Sequence, residues 1–127
     1  MKIRKLAAAV VVAGSVALLA PQAASASTAG SFTLPPGNRV CIDDPALSFT
    51  SARATGQASP GVKFTFLVRP SGAYGYTLLN ETGNNVTAWS AESNRSIHPW
   101  AFPGNFRACA RNNGTTSAQV WLSLTSN

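Results

Sequence analysis

Between residues 62 and 69 the chain alternates without a break. Val62, Phe64, Phe66 and Val68 share one phase, and Lys63, Thr65 and Arg69 share the other. Successive side chains of a strand point to opposite faces, so this run predicts a strand with one buried and one wet side. Residues 47–55 alternate more weakly and lead into Gly56-Gln57-Ala58-Ser59-Pro60-Gly61, a composition that predicts a turn. Residues 74–80 and 86–91 are the next two predicted strands, entered through Pro70-Ser71-Gly72 and Gly83-Asn84-Asn85. Residues 92–104 form a long irregular stretch, followed by a strand over 105–111. Asn112-Asn113-Gly114 then predicts a hairpin, with Gly114 free to take a left-handed conformation. The hairpin leads into residues 117–124, where Ala118, Val120, Leu122 and Leu124 stand in phase. With a short strand at 39–42, the count is about seven, and no helical period survives the glycines, prolines and β-branched residues.

Seven short antiparallel strands, each with one apolar face, predict an all-β domain. The expected form is a small antiparallel β-sandwich of immunoglobulin-like size, with a small β-barrel as the alternative. The N-terminal residues have a different character. Lys2, Arg4 and Lys5 precede fifteen residues, 6–20, that are apolar apart from Gly14 and Ser15, and Pro21 and Ala24-Ser25-Ala26 follow. This order of basic, apolar and small residues predicts a secretory signal over 1–26, cleaved after Ala26. A spanning helix needs about 20 apolar residues, so the run is short for a membrane anchor. The small, polar residues 27–37 are expected to be a flexible entry segment, and 38–127 the single folded domain. The protein is therefore expected to be secreted and extracellular, with no membrane anchor after cleavage.

Beyond the signal, seven basic residues face four acids, a net charge of about +3. They stand singly along the chain, whereas a nucleic-acid surface needs them gathered on one face, so no nucleic-acid partner is expected. The two cysteines, Cys41 and Cys109, have one intramolecular connectivity in an oxidising compartment, a single disulfide closing a loop of about 70 residues. Phase places them. Phe106, Ala108 and Ala110 share one face, and Arg107, Cys109 and Arg111 the other; Val40 and Ile42 flank Cys41 in the same way. Turning the cysteines inward would bury two arginines with them, which costs several kcal/mol if they are unpaired. The disulfide is therefore expected between neighbouring strands on the outer face.

The same phase puts Gln119, Trp121 and Ser123 outward on the last strand. A hairpin at Asn112 would bring Trp121 opposite or diagonal to Arg107, close enough to stack. Trp89 opposes the phase of Val86 and Ala88 and is a second candidate surface aromatic, whereas Tyr74 and Tyr76 share a phase with Leu78 and are expected at the core or its edge. Trp100 lies in Ile97-His98-Pro99-Trp100-Ala101-Phe102-Pro103, whose prolines and aromatics suit a rigid plug at one end of the domain. His98 is the only histidine, and no Gly-X-Ser-X-Gly elbow marks a serine for it to activate. Asp43 and Asp44 could converge on calcium only in a turn, and no recognised loop pattern surrounds them. Glu81 and Glu92 could act as a glycosidase pair only if the fold brought them within about 5–9.5 Å. No catalytic residue, metal or cofactor is therefore expected.

The expectation is a secreted, non-catalytic domain that binds an extracellular glycan or a cell-envelope component, with Trp121, Arg107, Trp89 and Trp100 as its candidate binding residues. Flat aromatics suit sugar rings, whose C–H faces stack while nearby amides and guanidinium groups bind hydroxyls. A self-associating envelope protein using unpaired sheet edges is one alternative. An inhibitor of a secreted hydrolase, presenting Arg95 to a protein partner, is another.

Overall fold

The computed structural model describes residues 26–44 and 46–127; the expected signal lies almost wholly in 1–25, outside the described residues. Among the described residues seven strands form: β1 (Ala26–Leu34), β2 (Arg39–Asp43), β3 (Ser51–Pro70), β4 (Thr77–Glu81), β5 (Val86–Asn94), β6 (Gly104–Arg111) and β7 (Ala118–Ser126). A short 3-10 turn, Pro99–Ala101, stands between β5 and β6. Every pairing is antiparallel, in the order β1-β7-β3-β6-β2, with β4 and β5 also on β3. The expected all-β class and seven-strand count hold, but the strands are not all the expected ones.

The turn expected at 56–61 is absent, and β3 runs through it for 20 residues. Its first half pairs with β5 and β7, and its second half with β4 and β6. Pro60 and Gly61 stand at the changeover, with no partner in any of these ladders. A proline has no N–H to give a ladder and is tolerated where none is needed. The result is two layers, β1-β7-β3-β5 and β2-β6-β3-β4, which are halves of one continuous, nearly closed, barrel-like sheet. Sandwich and barrel thus meet in a single bent strand.

Residues 27–37 are likewise not a flexible entry. Most of them belong to β1, which pairs along its length with β7, from Ala26↔Ser126 to Leu34↔Ala118. Leu34 is buried and Phe32 packs against the core. Small polar residues at the other positions hide this strand from a hydrophobic pattern.

Val62, Phe64, Phe66 and Val68 are fully buried, as their alternation requires, in one core with Phe106, which stands beside Val68 on β6, and with Val120, Leu122 and Leu124 of β7. Phe66 and Phe102 both pack on Phe106, at ring-centroid distances of 5.6 and 5.0 Å. Phe102 is thus the part of the 97–103 segment that plugs the domain end.

The 112–117 loop is not a hairpin, because β6 and β7 do not pair; it crosses from one layer to the other. Among the described residues the left-handed glycines are Gly37 and Gly72, not Gly114. Buried Asn112 holds the crossing. Its Nδ2 donates to the carbonyls of Leu34 and Thr116, both at 2.8 Å, and its Oδ1 accepts from the N–H of Gly114 at 2.9 Å. Asn112→Ala would strand these groups and is expected to cost about 2 kcal/mol. The measurement is a lower urea midpoint with an unchanged slope; an unchanged midpoint would mean that the loop is held elsewhere.

Candidate functional site

Trp121 points outward from the middle of β7, and 37% of it is exposed. Across the ladder it stands opposite Ser31 of β1 and Gln57 of β3. These neighbours, with Ser59, Thr87 and Gln119, line a groove of about 340 Å³. Gln119 is tied to the neighbouring strand, its Oε1 accepting from Thr33 Oγ1 at 3.2 Å. The lining carries amides and hydroxyls around one flat ring, and no charged side chain. Such a surface can stack an apolar ring face and exchange hydrogen bonds with its edge groups.

Arg107 is not part of this site. Because β7 lies between β1 and β3, the β6 residue Arg107 sits in the other layer, so the expected Trp121–Arg107 pair does not form. Its guanidinium instead holds Asp43 in a forked pair, Nε to Oδ1 at 2.6 Å and Nη2 to Oδ2 at 3.2 Å. It also lies 4.2 Å above the centre of the Tyr76 ring. The hydrogen bond to Asp43 raises the Arg107 pKa above its already high usual value, against an opposing effect of burial. Stacking by Arg107 occurs, but on a different ring.

Trp89 is half-buried rather than a surface platform. It lies parallel to Phe64 at 5.1 Å between ring centres, and its Nε1 donates to Asn80 Oδ1 at 2.9 Å. Trp100 is exposed, with its ring edge-on to His98 at 5.6 Å, and it takes no part in lining the Trp121 groove. Tyr74 departs from its expected burial and is fully exposed, whereas Tyr76 is half-buried at the edge, capped by Arg107 and Arg69. Strand β4 begins only at Thr77, so the phase shared by residues 74, 76 and 78 has no strand to act through.

The polar candidates disperse. Nδ1 of His98 is 2.6 Å from Oγ of Ser93, a fully buried hydroxyl. Asp43 and Asp44 diverge rather than converge. Asp43 reaches Arg107 on the outer face, while Asp44 is buried and accepts from the hydroxyls of Ser48 and Ser126. Glu81 pairs with Lys63 on one layer, and Glu92 with Arg53 on the other. Arg95 gives its Nε to the Phe49 carbonyl at 2.5 Å.

The disulfide joins Cys41 and Cys109 directly across β2 and β6, on the outer face, as the phase of both strands requires. Such a bond is compatible with an oxidising environment. Despite its outward direction Cys109 is almost fully buried; Arg39 Nη2 lies over it, 3.5 Å from Sγ.

Ser31, Gln57, Ser59 and Thr87 are the groove residues that escaped the sequence. Ser31 lies in the expected entry segment, and Gln57 and Ser59 in the expected turn. Only the register of β1 and β3 against β7 places them beside Trp121. No protein-family model matches this chain, and no curated protein matches it in sequence.

Proposed function

We propose that this protein is an exported, non-catalytic binding module whose Trp121 groove takes an uncharged glycan of the extracellular space or the cell envelope. The observation that carries the reading is a half-open tryptophan ring in a groove lined only by amides, hydroxyls and alanine and valine carbon. Sugar rings match that chemistry: the ring face stacks, and Gln57, Gln119, Ser31 and Thr87 reach the hydroxyls. Export is supported by the signal-like order of residues 1–26 and by the disulfide.

The test is retention of the mature protein on a panel of insoluble neutral polysaccharides and cell walls, with Trp121→Ala beside it. Retention by one matrix, weakened about tenfold or more in the variant, is the expected result; stacking on a ring is worth about 1–3 kcal/mol in comparable aromatic platforms. An unchanged thermal midpoint would assign the loss to the groove, because more than a third of the residue is exposed. No retention on any matrix would end this reading.

A further inference from the structure

The basic residues, single along the chain, are not scattered on the surface. Alternation and pairing put Arg39 (β2), Arg107 and Arg111 (β6), and Lys63 and Arg69 (β3) on the outer face of the β2-β6-β3-β4 layer. The acids on that face are Asp43 and Glu81. Elsewhere Arg53 pairs with Glu92, and Arg95 and the buried Asp44 offset each other in charge. The net charge of residues 27–127, about +3, therefore belongs to one face.

Register makes the arrangement costly. Arg39 stands directly opposite Arg111, which stands directly opposite Lys63. Like charges facing each other across strands destabilise a sheet by about 0.2–1 kcal/mol. Glu81 answers Lys63 alone. Among the described residues Arg39, Arg69 and Arg111 have no carboxylate partner. A groove of about 230 Å³ opens between Arg39, Arg111, Lys63 and Glu81, floored by Cys109 and Thr65. Arg69 lies six residues from Lys63 along β3, about 20 Å away at strand rise, beside Tyr76. A ligand meeting both ends must be an extended polyanion.

We propose that this face binds an acidic polysaccharide, with carboxylates or phosphates of successive units seated on Arg39, Arg111 and Arg69. A single-stranded nucleic acid fits less well. Such strands bind on open aromatic platforms, and Tyr76 on this face is covered by two guanidiniums. The site is distinct from the Trp121 groove, which belongs to the other layer, and does not depend on it.

The experiment titrates mature protein with polygalacturonate, polyglycerol phosphate, neutral dextran and a single-stranded oligonucleotide. Variants are Arg39→Gln/Arg111→Gln, Arg53→Gln on the other layer, and Trp121→Ala. Binding to one or both acidic glycans is expected, weakening about 20- to 40-fold between roughly 50 and 200 mM salt, as release of about three counterions implies. The polyuronate and polyphosphate arms distinguish carboxylate from phosphate. The double variant should lose about tenfold in affinity while melting no lower than the parent, since its removal of facing charges relieves repulsion. Arg53→Gln and Trp121→Ala should bind as the parent does. Equal losses in Arg53→Gln, unaffected binding in the double variant, tighter binding of the oligonucleotide, or no binding to either acidic glycan would each overturn the proposal.

Discussion

Replacing Cys41 and Cys109 together with alanine is expected to remove about 4 kcal/mol of folding stability, the chain-entropy value for a loop of this size. The cysteines are 68 residues apart in sequence and face each other in register. For a domain near a hundred residues this corresponds to a fall in Tm of about 15–30 °C. Position adds to the effect. Strand β2 has five residues and, among the described residues, pairs only with β6, so it is a sheet edge. The Arg39–Arg111 repulsion falls on that same short ladder, two residues from the disulfide. Loss of the bond should therefore open β2 first, seen as hydrogen exchange at Val40 and Ile42 well before β3. Protein that lacks the bond but melts within a few degrees of the parent would show that side-chain packing alone holds the edge.

Phe64→Ala is expected to cost about 3–5 kcal/mol, as for other buried phenylalanines. The ring is fully buried, stacks on Trp89, and covers Gly56 so closely that a Cβ there would collide with it. Gly56 also stands directly opposite Trp89 across β3 and β5. The glycine thus clears space between strands for one aromatic while a second packs from the neighbouring strand. Gly56→Ala should destabilise the parent, yet do much less harm in the Phe64→Ala background, where the ring is gone. The coupling, read from urea midpoints of the two single variants and the double, should reach about 0.5–3 kcal/mol, the range for residues in contact. Strict additivity would mean that the ring can move aside and that Gly56 serves only the backbone. Trp89 fluorescence reports the same event, since its stacking partner disappears.

Trp121 and Trp89 differ in how firmly alternation fixes their direction. Trp121 faces outward because Val120, Leu122 and Leu124 are buried on either side of it, and strict alternation leaves no other direction. Trp89 has the opposite phase to Ala88 and Val86, but its neighbours are small. Ala91 and Ser93 are the buried residues of β5 and lie in phase with Trp89, so the ring leans toward the core. Phase was decisive where large apolar residues marked it and misleading where alanine and serine did.

What the residues determined by themselves was local: the all-β class, the buried phase of Val62, Phe64, Phe66 and Val68, the outward turn of Trp121, and the disulfide on the outer side of its strands. Each follows from side chains alternating along one strand, which needs no knowledge of its neighbours. Adjacency was decided only in three dimensions. The pairing of β1 with β7, and the change of partners along β3, depend on burying one core between two layers. Those contacts join residues far apart in the chain and leave no periodic trace in it. Tertiary structure therefore separated Arg107 from Trp121, brought Ser31 and Gln57 to the tryptophan, and gathered five single cations into one charged face.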